Sequence, residues 1–91
     1  MWSVAVPKRV AKQIADLPAR VRKRLRRLVS QIEQFGPVRG NWPNYSALTG
    51  NRHHCHLKKG HPTYVAVWQV EDKSVRLVEL VYVGTHEKAP Y

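Results

Sequence analysis

The chain is poor in cysteine, in acidic side chains and in long apolar runs. Its single cysteine, Cys55, excludes an internal disulfide framework and a cysteine-rich zinc finger. No apolar run approaches the ~20 residues of a membrane span, and Pro7-Lys8-Arg9 interrupts the only apolar stretch near the N-terminus. We therefore expect neither a signal peptide nor contact with a membrane, and we expect a cytoplasmic protein.

The scarcity of acidic residues leaves the charge strongly unbalanced. Among 91 residues there are 16 Lys and Arg against 6 Asp and Glu, a formal net charge of +10. A positive field of this size attracts polyanions, chiefly nucleic acid or an acidic protein partner. The hydrophobic fraction of 43% is that of an ordinary globular protein, and the length suffices for one modest core. We expect a single domain over residues 1–91.

The spacing of apolar residues predicts four strands and two helices. The predicted strands cover residues 2–6, 52–58, 63–70 and 75–83, and the predicted helices cover residues 8–17 and 18–35. Residues 71–74 form a polar turn, and residues 36–51 form a long loop whose Trp42, Tyr45 and Leu48 should pack against the core. The order β-α-α-β-β-β predicts an α+β fold, with a two-helix hairpin packed on one face of a mainly antiparallel four-stranded sheet.

The segment HHCHLKKG, residues 53–60, carries the most distinctive chemistry. Successive side chains of a strand point to opposite faces, so His53, Cys55 and Leu57 should be buried. The opposite, open face then carries two imidazoles between two cations: Arg52, His54, His56 and Lys58. If the last strand lies near this one, the closing segment VGTHEKAPY brings His86 and Tyr91 towards the same row.

Such a row suits cleavage of a phosphodiester by the neighbouring 2′-hydroxyl. That reaction needs a base, an acid and positive charge for the transition state. Imidazoles suit the first two roles at neutral pH, and the candidates are His54, His56 and His86. Cations for the third role are Arg52, Lys58 and Lys59, which should also lower the pKa values of the histidines. Tyr91 or Tyr64 could stack on a base.

Two simpler interpretations of the histidines compete with catalysis. Paired histidines on a strand are more often only part of a polar surface, and a run of histidines with one cysteine can bind zinc. Strand alternation, however, directs Cys55 away from His54 and His56, and neither CxxC nor HExxH spacing occurs. We therefore expect neither a metal nor another cofactor.

The two predicted helices carry a basic surface. Nine cations stand against Asp16 alone: Lys8, Arg9, Lys12, Arg20, Arg22, Lys23, Arg24, Arg26 and Arg27. A solvated helix face needs far less charge, so this surface favours docking on a polyanion.

The element order and several motifs resemble the RelE/ParE superfamily of bacterial toxins, and more closely a RelE-type branch with a histidine-rich strand. The motifs are the Leu17-Pro18 junction, NYSALTG, HHCHLKKGHPTYVAVWQV and VELVYVGTHEKAPY, and the resemblance covers the whole chain. It implies the toxin of a type II toxin–antitoxin pair, an mRNA interferase. Such toxins enter the A site of the 30S ribosomal subunit, cut mRNA there without a metal, and leave a 2′,3′-cyclic phosphate.

The resemblance also implies roles for individual residues. His54 and His56 fall where RelE has two active-site lysines, His86 falls where it has an active-site arginine, and Tyr91 corresponds to its C-terminal aromatic residue. Val65 stands where RelE has another arginine, which implies that Lys58, Lys59 or Arg52 replaces that charge or that the activity is weaker. The expected contacts to phosphate, mRNA or rRNA come from Arg52, Lys58, Lys59, Lys88, Arg20, Lys23, Arg24 and Arg27.

The resemblance further implies a cognate antitoxin, which the net charge predicts to be acidic. Two other functions remain open at this point. ParE toxins of the same superfamily act on DNA gyrase and cleave no RNA, and a basic module could bind nucleic acid with no enzymatic activity. The histidine row favours the interferase, because a gyrase binder has no need of paired acid–base groups.

Overall fold

The computed structural model describes all 91 residues. The helices are α1 (Lys8–Ala15) and α2 (Ala19–Phe35). The strands are β1 (Ser3–Ala5), β2 (Ser46–Ala47), β3 (Arg52–Lys58), β4 (Tyr64–Asp72) and β5 (Leu77–Thr85), and a 3₁₀ turn follows at His86–Lys88. Neither helix is long and apolar enough to cross a membrane.

The strands form one sheet in the order β1-β5-β4-β3-β2. Strand β1 runs parallel to β5, and all the other neighbours are antiparallel. The predicted α+β architecture is confirmed, but the sheet has five strands and not four. The additional strand is β2, whose two residues pair with His53 and His54 and are too few to show any alternation in the sequence.

The turn between β4 and β5 lies at residues 73–76, two residues later than predicted. The carboxylate of Asp72 accepts hydrogen bonds from the backbone N–H and the hydroxyl of Ser74, at 2.9 and 2.7 Å. A carboxylate that bonds the backbone two residues on starts a turn at its own position. For that reason the polar residues Glu71 and Asp72 still belong to the strand.

Proline and glycine set the ends of α2. Pro18 precedes its first turn and separates it from α1, as predicted. Gly36 ends it with a backbone φ of 96°, a conformation that side chains with a Cβ rarely adopt. A Cβ at Gly36 would also lie 3.1 Å from the Trp2 indole nitrogen, so the glycine lets β1 approach the end of the helix.

The core lies between the helices and one face of the sheet. Helix α2 buries one stripe of apolar side chains: Val21, Leu25, Leu28 and Ile32. Trp68 of β4 is fully buried there, and its indole N–H donates to the carbonyl of Pro37 at 2.9 Å. Of the predicted loop residues, Trp42 is in the core and Tyr45 packs against it, whereas Leu48 is half-buried outside the core.

Cys55 lies in the same core and is fully buried. Burial raises the pKa of its thiol to about 12. It is therefore the small buried hydrophobe that its strand position predicts, because a thiol with so high a pKa carries almost no thiolate at neutral pH.

The opposite face of β4 is buried as well. Val65 and Val67 have no exposed surface, yet they lie outside the helix-side core. Their partners across the strands are His56 and His54 of β3. Since no helix covers this side, the residues that follow β5 must shield it, and they form the site described next.

Helix and loop atoms satisfy the backbone at the free sheet edges. The side-chain oxygen of Gln13 accepts from the backbone N–H of Val83 at 3.0 Å, on the part of β5 that extends beyond β1. At the other edge, Arg24 donates to the carbonyl of Leu57. The backbone N–H of His56 donates to the carbonyl of Pro43 at 2.8 Å.

The packing of α2 predicts a large difference between two of its residues. Leu28→Ala should lower the free energy of unfolding by about 2–5 kcal/mol, because it leaves a cavity in the core. Phe35→Ala, in the same helix but 67% exposed, should cost less than about 1 kcal/mol, mostly its contact with Arg39. Urea denaturation measures both, and equal losses would contradict the placement of the core.

Candidate active site on the open face of the sheet

The alternation predicted for β3 is confirmed. His53, Cys55 and Leu57 are buried, whereas Arg52, His54, His56 and Lys58 are half-buried on the other face. Packing of the first set against the core fixes the register of the strand. The two imidazoles therefore project from the face that carries no helix.

The residues after β5 close over these imidazoles, although β5 is not the neighbour of β3. Strand β4 lies between them, and the chain crosses back over it after Thr85. The backbone N–H of His86 donates to the carbonyl of Thr63 at 2.8 Å and so fixes the crossing.

Four rings meet where the chain has crossed. The ring of Tyr91 stacks on His54 with centroids 4.4 Å apart. The ring of His86 lies edge-on to His56 at 5.6 Å and edge-on to Tyr91 at 5.9 Å. We call this group of four the ring cluster. It unites all four residues that the resemblance put forward as catalytic, whereas Tyr64 packs against the core instead.

Ser46 is a member of this site that sequence reasoning missed. Its hydroxyl lies 2.7 Å from Nε2 of His54. Ser46 lies within the NYSALTG motif, but nothing in that motif indicates a contact with His54, because the two-residue strand β2 shows no alternation in the sequence. The register of β2 on β3, which pairs Ser46 with His54, is what creates it.

The nitrogens of the two strand histidines are not equally free. Nδ1 of His54 and Nδ1 of His56 are both buried without a hydrogen-bond partner. His54 has its other nitrogen engaged by Ser46 and one face covered by Tyr91. His56 has no such contact at Nε2, and it lines a cleft on either side of its ring. Of the two, His56 is therefore better placed to exchange a proton with a bound molecule.

Burial is the main cause of the pKa shifts in the site. It lowers the pKa values of His54 and His56, and the neighbouring imidazoles lower them further. The sequence predicted that neighbouring cations lower these pKa values. The lowering is confirmed, but burial is its main cause, and Lys59, which acts on His56, is the only cation that contributes. Burial also raises the pKa of Tyr91, which keeps its hydroxyl protonated at neutral pH.

Cations gather on one side of His56 in a cleft of about 310 Å³, which we call the basic cleft. Its charged lining consists of Arg20, Arg24, Lys58 and Lys59. The guanidinium of Arg24 is held by the carbonyl of Leu57 and lies 5.4 Å from the centre of the Trp42 ring. Helix α2 thus contributes directly to the site on β3. The sequence predicted that Arg20 and Arg24 contact phosphate or RNA, but it did not place them beside His56.

The other four cations that the sequence predicted to contact RNA do not line the basic cleft. Arg52, at the start of β3, donates to the side-chain oxygen of Gln69 at 2.8 Å. Lys88 is exposed on the 3₁₀ turn, and Lys23 and Arg27 are exposed on α2 next to the cleft. Of the three cations that the sequence placed on or next to β3, only Lys58 and Lys59 therefore lie beside His56.

On its other side, His56 faces a second cleft of about 310 Å³, the histidine cleft. Its lining includes His86, Thr63, Thr85 and His61. His56 and His86, together with His61, border a polar space that a phosphodiester could enter, with the hydroxyl groups of the two threonines in its lining and Glu87 as its one carboxylate. No group of three His, Cys, Asp or Glu side chains in the structure is arranged to hold a metal ion.

Comparison with known proteins gives structural matches alone. No protein-family model matches the chain, and no curated protein matches it. A double mutant of the E. coli toxin RelE in the free state aligns with a TM-score of 0.71 and 20% identity, over 94% of this chain and 84% of that chain.

Two further structures agree. The isolated E. coli RelE toxin aligns with a TM-score of 0.71 and 18% identity, over 99% of this chain and 89% of that one. A chain of the archaeal RelE–RelB complex from Pyrococcus horikoshii OT3 aligns with a TM-score of 0.69 and 16% identity, over 97% and 98%. The chain therefore has the fold of the RelE toxins, as the resemblance predicted.

The lowered pKa values of the histidines predict a loss of stability in acid. Burial lowers the pKa of His53 as well as those of His54 and His56. Below a pH of about 6.5 the unfolded chain binds protons that the folded chain does not, so the free energy of unfolding should fall as the pH decreases towards 5. Urea denaturation across this range measures the slope.

The variant His54→Gln/His56→Gln should flatten that slope, because it removes two of the groups responsible. His61→Gln, a change of an exposed loop histidine, serves as the control and should leave the slope as it is. A slope that is equal in all three proteins would contradict the burial of the two strand histidines.

Proposed function

We propose that this chain is the toxin of a type II toxin–antitoxin pair, an endoribonuclease that cuts mRNA in the ribosomal A site without a metal ion. The observation that carries the proposal is the ring cluster. It sets the imidazole of His56, with that of His86 beside it, at a cleft lined by four cations, on the open face of a sheet with the RelE fold. This arrangement offers the base, the acid and the positive charge that cleavage by a 2′-hydroxyl requires.

In the proposed reaction, His56 is the general base and His86 the general acid. Nε2 of His56 takes the proton of the 2′-hydroxyl, whose oxygen forms a bond to the neighbouring phosphorus. The bond from phosphorus to the 5′-oxygen breaks, and His86 supplies the proton that this oxygen needs. The products are a 2′,3′-cyclic phosphate and a 5′-hydroxyl. The lowered pKa of His56 favours the neutral form that a base requires.

His54 has a supporting role in this scheme. Its engagement by Ser46 and by the Tyr91 ring suits a positioning residue better than a proton carrier. Tyr91, 48% exposed, keeps one side for a nucleobase, and stacking on an aromatic ring contributes about 1–3 kcal/mol per base.

Charge on the transition state is stabilised by Lys58 and Lys59 at the end of β3. These two lysines replace the charge of the arginine that RelE has at the position of Val65. Val65 itself is fully buried under the ring cluster and carries no charge. Exposed cations on the helices outside the basic cleft, among them Lys8 and Lys12, are proposed to dock on rRNA.

We further propose an acidic antitoxin as the partner. One of the structurally similar chains comes from a RelE–RelB complex, and the net charge of +10 favours a partner of opposite sign. The same fold could serve a toxin that acts on DNA gyrase, since a fold does not determine a function. The imidazole pair favours RNA cleavage, because gyrase binding makes no use of it.

Primer extension on a defined mRNA tests the proposal, with the purified protein added to translating ribosomes or to naked RNA. Cuts should appear in the translated sample, and they should persist when the protein has been treated with EDTA and the chelator removed before the ribosomes are added. His56→Ala should lower the cleavage rate by about 10²–10⁴-fold, the usual contribution of a general base. Val75→Ala, at an exposed position of the β4–β5 turn, is the control and should cut like the wild type.

The outcomes separate the alternatives. Intact transcripts together with DNA damage on expression would assign the protein to gyrase. Cuts in naked RNA would leave a ribonuclease that does not depend on the ribosome. Unchanged cleavage by a folded His56→Ala protein would refute the proposed base.

The contact at His54 predicts a smaller effect. Ser46→Ala removes one hydrogen bond to Nε2 and should lower kcat about 3- to 10-fold with KM unchanged, whereas Ser46→Thr should restore most of it. Measuring kcat and KM for all three proteins over a range of pH tests this role. An effect on KM alone would mean that Ser46 contacts the substrate and does not position His54.

A further inference from the structure

We propose that the arginine-rich face of α2 binds the substrate strand itself, and holds the phosphates that flank the scissile one. The inference rests on the proposed function, since it extends the path of the RNA beyond the ring cluster. From its charge alone, this surface could bind any polyanion, and the inference names the mRNA as the one it binds.

The spacing of the cations along α2 is the first argument. Arg20, Lys23, Arg24 and Arg27 occupy positions i, i+3, i+4 and i+7, which share one face of a helix. We call this face the basic track. Seven residues of helix extend for about 10 Å, so the track is long enough for more than one phosphate.

Continuity with the candidate active site is the second argument. The basic cleft adjoins two further clefts along α2, and Arg24 lines all three. His56 lies at the end of this series and lines the basic cleft and the histidine cleft alike. A strand with its scissile phosphate between His56 and His86 would therefore continue onto Arg20 and Arg24.

The absence of acidic neighbours is the third argument. No Asp or Glu lines any of the three clefts along the track. Exposed basic helices in soluble proteins commonly pair their cations with carboxylates three or four residues away, but α2 has no acidic residue before Glu33. The charges of the basic track are therefore free for an external anion.

Arg24 is also held ready for such a ligand. It is half-buried, and its guanidinium is bound by the Leu57 carbonyl and packed on the Trp42 ring. A guanidinium that is fixed before binding loses less entropy when a phosphate arrives. This arrangement distinguishes the track from the freely solvated lysines of α1.

The test uses a short RNA that carries a 2′-deoxy group at the scissile nucleotide, so that it is bound but cannot be cut. Fluorescence anisotropy gives its Kd at several salt concentrations. Arg20→Gln/Arg27→Gln should weaken binding and reduce the slope of log K against log salt by about 0.7 for each phosphate that the variant no longer binds. Lys73→Gln/Arg76→Gln removes the same charge from the exposed β4–β5 turn, which has no part in the proposed site, and should leave the slope almost unchanged.

Length provides a second measurement. Extension of the RNA by two nucleotides on the side that reaches α2 should tighten binding to the wild type and not to Arg20→Gln/Arg27→Gln. Extension on the other side should affect both proteins equally. Ribosomal cleavage by the α2 variant should show a raised KM with kcat retained, because the ring cluster is intact.

Several results would overturn the inference. These are equal slopes for the β4–β5 turn variant and the α2 variant, a wild type that does not bind the short RNA, or a loss of binding to an acidic antitoxin peptide with RNA binding retained. Binding that depends on the track without any cleavage of mRNA would refute the proposed endoribonuclease and leave the basic track as a surface that binds RNA.

Discussion

The anchoring of β3 against α2 is the constraint on which the candidate site depends. Cys55 and Leu57 are buried in the helix-side core, and a strand whose alternate residues are fixed there has no freedom to shift by one position. Burial of these two side chains therefore directs His54 and His56 to the opposite face. The same packing brings α2 close enough for Arg24 to reach the carbonyl of Leu57. Packing and chemistry are thus set by one strand.

The face that carries the imidazoles is itself partly a core. Val65 and Val67 form its floor, and the chain after β5 forms its cover. The histidines are consequently half-buried, which lowers their pKa values more than any nearby charge does. A site built on a solvated sheet would have left both imidazoles close to their ordinary titration range. The residues after β5 therefore both cover this face and lower the pKa values of His54 and His56.

The sequence predicted most of the architecture and part of the site. Periodicity and the Leu17-Pro18 junction sufficed for the helices and the long strands, and alternation sufficed for the direction of His54 and His56. Arg20 and Arg24 were predicted to contact phosphate or RNA, but their position beside His56 and the contact of Ser46 with His54 could not be predicted in the same way. Both bring together residues that are far apart in the chain and arise from strand register and helix placement, for which a single sequence has no local signal. The strand β2 was missed because two residues show no period.

The side chains that satisfy the sheet edges have a consequence for assembly. Gln13 occupies the backbone N–H of Val83, while Arg24 and Pro43 occupy the backbone groups of Leu57 and His56. An unpaired edge strand is a template on which another chain can extend the sheet. Here three of these backbone groups are already occupied, on β5 by the Gln13 amide and on β3 by the Arg24 guanidinium and the Pro43 carbonyl. Any partner that adds a strand at these positions must first release these groups. The two helices thus cover one face of the sheet and also bind backbone groups at its edges, through Gln13 of α1 and Arg24 of α2.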